Sequence, residues 1–321
     1  VGPAELRDRV ITELQSAIKL FDASAVNIDS PKESPEADLS QFCRGRSAVH
    51  VHLPDEGISF YEQVNGERSP DERRILVKGV VLAGGTGTRL LPLTKIVNKH
   101  LLPVGKYPMI HYALDKLSKA GVRDVMIVTG KQSAGLFVDY IGSGAEWGIR
   151  TTYRIQDEAG GIAQALALAE DFIHHPEEKF VVLLGDNLFG DDLSPYLEQF
   201  ALQERGAMVL LKAMVDPGRY GVPVFERDLI THIVEKPEYP PSQFCVTGIY
   251  MYDRSVFDII RTIRPSGRGE LEITDVNNIY AAQGDLSYRI LQGWWTDAGT
   301  HESLAEAARH IREESGRCES F

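Results

Sequence analysis

The sequence predicts an α/β fold built on a doubly wound, mostly parallel sheet. From Leu76 onward, short runs of aliphatic and β-branched residues alternate with stretches of helical periodicity, which is the pattern of consecutive βαβ units. The strand-like runs are apolar throughout, as expected when helices cover both faces of a sheet. The predicted strands are residues 77–83, 125–129, 151–153, 180–184 and 208–211, and the predicted helices are 110–120, 135–141, 161–172 and 193–203.

The pattern of strand-like and helix-like segments changes after residue 216. Segments 222–225, 230–235 and 246–252 are short and resemble the arms of hairpins. We expect all three to form a small antiparallel insertion that builds a wall over one edge of a mixed, Rossmann-like sheet.

The first 74 residues differ in composition from the rest, and we predict a boundary between residues 1–74 and a domain spanning 75–321. Segment 4–20 has apolar residues at helical spacing, which predicts one amphipathic helix. The chain that follows is acidic and interrupted by prolines, and the apolar alternations at 48–53 and 58–61 are compatible with a small hairpin. Two interpretations of residues 1–74 stay open. The segment is either an appended helix with a docked segment, or a regulatory or partner-binding module.

The net charge of the chain limits the kinds of molecule that it can bind. The chain has 321 residues and a formal net charge of −12, from 34 basic and 46 acidic side chains. This acidic excess argues against nucleic acid or an anionic membrane as the main partner. No apolar run approaches the roughly 18–20 residues that a membrane-spanning helix needs. A phosphate-rich ligand would therefore require a local concentration of basic residues.

The three cysteines bear on the cellular compartment. Cys43, Cys245 and Cys318 are far apart and form neither a zinc-binding pair nor a disulfide framework. Glu5, Arg7, Asp8 and Arg9 lie where a secretory signal would need a basic start and an apolar stretch. We therefore predict a cytoplasmic location.

The strongest motif follows the first predicted strand. Three of the four residues in 84–87 are glycine, whose backbone can approach a ligand closely and turn its N–H groups toward an anion. Residue 90 is leucine, which excludes a dinucleotide fingerprint, and the loop lacks the Gly-Lys-Ser/Thr ending of a Walker loop. A glycine loop alone is as often a plain turn. Two cations, Arg89 and Lys99, favour a triphosphate site instead. The guanidinium of Arg89 can bind phosphate oxygens bidentately, and Lys99 adds a second positive charge.

Together with motifs that follow in order, this region resembles the sugar-phosphate nucleotidylyltransferases. Loop 84–89 and the sequence Lys-His-Leu-Leu-Pro at 99–103 carry the resemblance to that family as a whole. Segments 156–165 and 184–187 narrow it to the glucose-1-phosphate thymidylyltransferases. Further matching segments are 219–222, 235–237, 246–248, 269–275 and 297–301, so that the resemblance covers residues 77–310.

Two departures separate this chain from the rhamnose-pathway members. Those members usually carry glutamine where this chain has His100, and only a short stretch follows Asp297 here. Both features are similar to the short branch associated with spore-coat polysaccharide synthesis. Residues 1–74 match nothing in either branch.

The resemblance implies a Mg²⁺-dependent reaction. A thymidylyl group would pass from dTTP to α-D-glucose 1-phosphate, giving dTDP-glucose and pyrophosphate for polysaccharide or deoxysugar synthesis. It implies Arg89 and Lys99 as catalytic cations and Asp186 and Asp297 as the metal ligands. A phosphate oxygen is already ionised at pH 7, so the main task is charge neutralisation and positioning rather than proton abstraction.

The family match also implies the contacts to each substrate. The nucleotide-binding residues implied are Leu82, Gly84, Gly85, Thr86, Gly87, Thr88, Arg89, Gln156 and Gly161. The residues implied for the sugar phosphate are Tyr220, Gly221, Glu235, Lys236, Val246 and Arg268. The amide of Gln156 can donate to O4 and accept from N3–H of thymine or uracil in one bidentate contact.

Several alternatives stay open from the sequence. One is a nucleotidylyltransferase specific for UTP or for a different sugar 1-phosphate, and another is a catalytically inactive homologue that senses nucleotide sugars. Retention of all four implied catalytic and metal-binding residues favours an active enzyme. A homo-oligomer is compatible with the sequence, as is a role of residues 1–74 in tethering the enzyme to a scaffold.

Overall fold

The computed structural model describes residues 77–318. The helix predicted at 4–20 and the hairpin predicted within 48–61 lie outside the described residues, as does the whole predicted extension 1–74.

The described residues form thirteen strands and seven α-helices, joined by loops and short 3₁₀ turns. The strands are β1 (Lys78–Ala83), β2 (Pro103–Val104), β3 (Tyr107–Pro108), β4 (Asp124–Gly130), β5 (Arg150–Gln156), β6 (Lys179–Leu184), β7 (Asn187–Phe189), β8 (Ala207–Ala213), β9 (Gly221–Glu226), β10 (Leu229–Glu235), β11 (Phe244–Asp253), β12 (Leu286–Ile290) and β13 (Trp295–Asp297). The helices are α1 (Met109–Lys119), α2 (Ala134–Ile141), α3 (Ile162–Ala167), α4 (Ser194–Leu202), α5 (Val256–Ile260), α6 (Ile273–Gln283) and α7 (His301–Cys318).

A seven-stranded mixed sheet organises the domain, in the order β12-β8-β11-β6-β1-β4-β5. All neighbouring pairs are parallel except the two that involve β11, which runs antiparallel to both β6 and β8. Apolar side chains are buried on both faces: Val80 and Leu82 of β1 enter one core cluster, whereas Val81 and Ala83 enter the other. The predicted doubly wound α/β architecture is confirmed.

The position of β11 corrects one expectation. Residues 246–252 were predicted to belong to the antiparallel insertion, but they lie within the central sheet. The physical reason is that β11 is ten residues long and buried along its whole interior, so that both of its edges are hydrogen-bonded to neighbouring strands. Tyr250, for example, lies opposite Val182 of β6 and Val209 of β8.

The other two predicted pieces do form a hairpin. Strands β9 and β10 pair antiparallel in a separate two-stranded sheet, with a turn at Arg227 and Asp228, both of which have positive φ. The side chain of Asn278 on α6 holds β10: its Oδ1 accepts from the Ile233 amide (2.6 Å) and its Nδ2 donates to the Ile233 carbonyl (3.0 Å). This hairpin is thereby attached to the helical layer, and Phe225 of β9 also packs against Phe244 of β11 and Tyr288 of β12, with ring centroids 5.8 Å and 5.3 Å apart.

One smaller difference concerns the length of a helix. The helix predicted at 161–172 is divided into α3 and a separate 3₁₀ turn, Glu170–Phe172. Within the described part of the chain, no helix is both long and apolar enough to cross a membrane.

Candidate active site

The carboxyl ends of several parallel strands meet at one edge of the sheet, where open α/β sheets place their ligand sites. The glycine-rich loop follows β1, Gln156 is the last residue of β5, and Asp186 comes two residues after β6. Because β11 runs in the opposite direction, its amino end, which includes Val246, reaches the same edge.

The glycines of the loop permit close contacts that a side chain would block. A Cβ at Gly84 would lie 2.3 Å from Oε1 of Gln156, and a Cβ at Gly85 would lie 3.2 Å from Cε of Lys99. Gly87 has φ of +67°, and its carbonyl accepts a hydrogen bond from Oγ1 of Thr94 (2.7 Å). The loop therefore lies against both the predicted base-reading residue and the predicted phosphate-binding lysine.

The remaining predicted residues of this segment have different environments. The Leu82 carbonyl accepts from the Gly185 amide (3.0 Å), which joins the end of β1 to the residue before Asp186. Thr86, Thr88 and Arg89 are exposed. Their exposure leaves this face of the loop open to a ligand.

Lys99 and Asp186 form a direct ion pair in which both side chains are largely buried. Burial alone would raise the pKa of Asp186, but attraction to Lys99 and hydrogen bonds from Lys99 and Asn187 hold the pKa well below its usual range. Asp186 is therefore a carboxylate near neutral pH, and it is available to a cation.

Asp297 lies beside this pair but has a different electrostatic character. In the β7–β13 ladder Asp297 is opposite Asn187, and the amide of Ala298 donates to the Asp186 carbonyl (2.9 Å). Burial and the neighbouring charge of Asp186 raise the pKa of Asp297. Its Oδ1 is buried and has no hydrogen-bond partner among the described residues, and the closest cation to its Oδ2 is Arg89 at 3.8 Å. An unsatisfied buried carboxylate oxygen beside a second carboxylate suits a divalent cation.

His100 is buried directly beneath this centre. Its Nδ1 donates to Oδ1 of Asn98 (2.7 Å), which can only accept, and a Cβ at Gly185 would lie 2.8 Å from the imidazole. Burial, followed by the charge of Lys99, lowers the pKa of His100 from 6.5 to about 3. The imidazole is therefore neutral and packs as part of the floor of the site.

His100 predicts a pH dependence of stability. Between pH 6.5 and 3 the unfolded chain binds a proton at His100 that the folded chain does not, so the free energy of unfolding falls as the pH is lowered through this window. Between pH 7 and pH 5, the free energy of unfolding falls by about 2 kcal/mol because of His100. We expect His100→Gln to reduce the stability difference between these pH values by this amount, measured by urea unfolding. Equal pH dependence in the two proteins would contradict the buried neutral imidazole.

Gln156 is fixed on two sides. Its side chain is buried, and its Nε2 donates to Oε1 of Gln164 on α3 (2.7 Å). Gly161 precedes α3 with φ of +101°, and the same loop is hydrogen-bonded to Leu271 at both the Gly160 carbonyl (2.8 Å) and the Ala163 amide (3.2 Å). The predicted base-reading loop is thus joined to the segment that carries Arg268.

The predicted sugar-binding residues lie on the hairpin and around it. Gly221 and Glu235 are directly opposite one another at the open end of the β9–β10 hairpin. Glu235 accepts from Oγ1 of Thr274 (2.6 Å). Tyr220 packs edge-on against Trp295, with ring centroids 5.3 Å apart. These residues form a wall beside Asp297. Burial, followed by the charge of Asp297, raises the pKa of Tyr220 to about 12.

Two predicted cations, Lys236 and Arg268, are about half exposed and share a carboxylate. Their side-chain nitrogens lie 3.2 Å and 3.6 Å from Oε1 of Glu235, and Arg268 also contacts Glu272 (2.9 Å). Lys236 has φ of +44°, which is uncommon for a residue other than glycine. Because both cations lie at the surface, an anionic ligand can compete for them with little desolvation.

Asn187 has no role assigned by the sequence motifs, yet it links three parts of the site. Its Nδ2 donates to Oδ1 of Asp186 (3.1 Å), while its Oδ1 accepts from the Gly248 amide and from Nε1 of Trp295, each at 2.8 Å. Asn187 therefore orients Asp186 relative to β11 and β13. Its only sequence signal is its place next to Asp186 in segment 184–187.

Known proteins share this architecture. Residues 78–314 match the model of the nucleotidyl transferase family. The chain is 45% identical over 238 residues to a glucose-1-phosphate thymidylyltransferase of Xanthomonas campestris pv. campestris, covering 73% of this chain and 80% of that protein. It is 42% identical over 240 residues to a glucose-1-phosphate thymidylyltransferase of Neisseria meningitidis, covering 74% and 83%.

Solved structures are similar in the same region. A Bacillus anthracis protein assigned as a glucose-1-phosphate thymidylyltransferase, crystallised with sucrose, is 54% identical with a TM-score of 0.71, covering 74% of this chain and 95% of that one. A UDP-glucose pyrophosphorylase in complex with UDP-glucose is 26% identical with a TM-score of 0.66, covering 74% and 99%.

Proposed function

The chain belongs to the nucleotidyl transferase family, and we propose that it transfers the thymidylyl group of dTTP to α-D-glucose 1-phosphate, giving dTDP-glucose and pyrophosphate. It is a nucleotidyltransferase enzyme, as are its relatives of 42–45% identity. The observation that carries the proposal is the meeting of Arg89, Lys99, Asp186 and Asp297 at one edge of the sheet. Two polyanions can react only where cations offset their charge, and an acidic protein provides such a place locally.

Arg89 and Lys99 carry the catalytic roles in this proposal. Arg89 is exposed at the end of the glycine loop, where its guanidinium can contact the departing pyrophosphate bidentately. Lys99 lies between the loop and Asp186, so its ammonium can bridge phosphates of both substrates while remaining near its carboxylate. Both cations would stabilise charge that develops as the bond to the α-phosphorus forms and the bond to pyrophosphate breaks.

Asp186 and Asp297 fit a divalent cation, for which we propose Mg²⁺. The support is the ionised Asp186 and the buried Oδ1 of Asp297, which has no partner among the described residues. Mg²⁺ commonly uses one or two carboxylates and completes its coordination with phosphate oxygens and water. When bound, the metal would offset negative charge on the reacting phosphates.

The remaining predicted residues would select the substrates. Gln156 and the Gly161 backbone would bind the pyrimidine, while the loop residues Gly84–Thr88 and Leu82 would surround the nucleotide. Glu235 and the backbone of Gly221 and Val246 would accept and donate hydrogen bonds to the sugar hydroxyls, with Tyr220 as an aromatic wall. Lys236 and Arg268 would bind the phosphate of the sugar.

A substrate matrix tests this function. Release of pyrophosphate is measured for dTTP, UTP, dCTP and ATP against several sugar 1-phosphates, with Mg²⁺ and with a chelator. We expect the highest kcat/KM for dTTP with glucose 1-phosphate, and loss of activity with the chelator that added Mg²⁺ restores. A clear preference for UTP would replace the proposed nucleotide while keeping the reaction.

We further propose that residues 75–321 contain the whole catalytic domain and act in the cytoplasm, without nucleic acid or membrane as partner. Residues 78–314 match the family model, and the alternation of strands and helices begins near Leu76. The predicted apolar stripe of Leu6, Val10 and Leu14 needs a surface to pack on, in this chain or in a neighbouring subunit of a homo-oligomer.

Deletion of residues 1–73 should therefore leave kcat within about threefold while lowering the melting temperature, the solubility or the oligomer size. Steady-state kinetics and size-exclusion chromatography of the two proteins measure these effects. A truncated enzyme that folds but lacks activity would contradict the proposed boundary.

A further inference from the structure

We propose that Gln164 is a positioning residue that fixes the side-chain amide of Gln156 in the orientation that binds thymine and rejects cytosine. This inference rests on the proposed function, and specifically on the reading of a pyrimidine by Gln156. Gln164 lies on α3 and would not itself contact the base.

The hydrogen bonds around Gln164 have a defined polarity. Its Oε1 accepts from the Gly160 backbone amide (3.0 Å) and from Nε2 of Gln156 (2.7 Å). A backbone N–H can only donate, and it cannot rotate as a side-chain amide can. The Gly160 amide therefore requires oxygen at this position of Gln164, and that oxygen in turn requires nitrogen from Gln156. The orientation of the Gln156 amide is thus determined by the backbone through one intermediate side chain.

Both amides occupy space that glycine leaves free and that any other residue would fill. A Cβ at Gly160 would lie 2.6–2.7 Å from the three amide atoms of Gln164, and a Cβ at Gly84 would lie 2.3 Å from Oε1 of Gln156. The loop that provides the Gly160 amide is in turn hydrogen-bonded to Leu271. Gln156 is itself 7% exposed, so water does not compete freely for its polar atoms.

The orientation has a chemical consequence for base selection. Thymine presents an acceptor at O4 and a donor at N3–H, whereas cytosine presents a donor at its 4-amino group and an acceptor at N3. In the fixed orientation, one N–H of Gln156 is used by Gln164, and the second N–H and Oε1 remain for the base. An amide turned by 180° would instead match cytosine. Without Gln164, the energetic preference between the two orientations is lost.

Three variants test this inference. Gln164→Leu removes the acceptor, Gln164→Ala removes it with less risk of overpacking, and Gln164→Glu keeps an acceptor oxygen for both donors. For each, kcat/KM is measured with dTTP and with dCTP at saturating glucose 1-phosphate, together with the melting temperature. We expect the leucine and alanine variants to lower the dTTP/dCTP ratio about tenfold or more, mainly through KM for dTTP. The glutamate variant should keep the ratio within about threefold of wild type.

Other outcomes would overturn the inference. A purely structural role would lower the melting temperature and reduce kcat/KM equally for both nucleotides, leaving the ratio unchanged. The wild-type profile distinguishes this failure from failure of the proposed function. Uracil presents the same edge as thymine. If the wild-type enzyme prefers UTP, the variants are therefore compared with UTP and CTP. If wild type prefers a purine nucleotide, both the proposed function and the role of Gln164 are wrong.

Discussion

Asp186→Asn is expected to lower kcat to less than about a tenth of the wild-type value at saturating Mg²⁺, with the fold preserved. The substitution removes the carboxylate that pairs with Lys99 and that we propose as a metal ligand, and the metal contribution to such a transition state is typically worth several kcal/mol. Activity is measured by pyrophosphate release over a wide range of Mg²⁺ concentration. The structure of the variant is checked by circular dichroism and by its melting temperature.

Asp115→Asn is a suitable control for this variant. Asp115 forms an exposed ion pair with Lys119 on α1, and its removal should leave kcat unchanged and stability within about 1 kcal/mol. If Asp186→Asn keeps more than about a tenth of wild-type kcat at saturating Mg²⁺, Asp186 does not hold the catalytic metal.

Gly161→Ala is expected to destabilise the domain and to weaken nucleotide binding together. The new Cβ would lie 2.4 Å from the carbonyl oxygen and 2.8 Å from the amide nitrogen of Leu271, and φ of +101° is a conformation that residues other than glycine rarely adopt. Backbone atoms cannot move aside as a flexible side chain can, so the hydrogen bonds between this loop and Leu271 must break. We expect a loss of about 3 kcal/mol or more, which lowers the melting temperature by several degrees.

Kinetics should show the second effect as an increase of about tenfold or more in KM for dTTP, because the loop that holds Gln156 and Gln164 is displaced. Gly135→Ala is the matched control. Gly135 lies on α2 without a positive φ, its Cβ would meet no atom within 4 Å, and alanine is the better helix former. Similar melting temperatures and KM values for both alanine variants would show that the approach of Leu271 to Gly161 is not essential.

The fold was largely predictable because its signals are local. Each central parallel strand predicted from an apolar run is present, and Asp186 follows β6 as the strand boundary indicated. The glycine loop was also recognisable, since three glycines within four residues are uncommon outside turns and ligand loops. Such patterns involve residues that are close together in the chain, so they can be recognised from the sequence alone.

The features that could not be predicted are contacts between distant segments. The position of β11 depends on its pairing with β6 and β8, and its apolar run does not indicate which strands it pairs with. Asn187 joins Asp186 to Gly248 and Trp295, and no periodicity connects these positions. The relation of Gly161 to Leu271 is of the same kind, because only the folded chain brings the two backbones together.

The β9–β10 hairpin has a consequence for how such an enzyme can diverge. Glu235 and Gly221 belong to a two-stranded sheet attached to α6, whereas Lys99, Asp186 and Asp297 depend on the loops at the ends of β1, β6 and β13. Substitutions along the hairpin strands can thus accumulate while Lys99, Asp186 and Asp297 keep their positions. Changes at Glu235 are the exception, because it pairs with the proposed phosphate-binding cations Lys236 and Arg268. Given the sugar contacts proposed for Gly221 and Glu235, an ancestral enzyme could acquire a new sugar largely by remodelling this hairpin, and inherit its triphosphate and metal site unchanged.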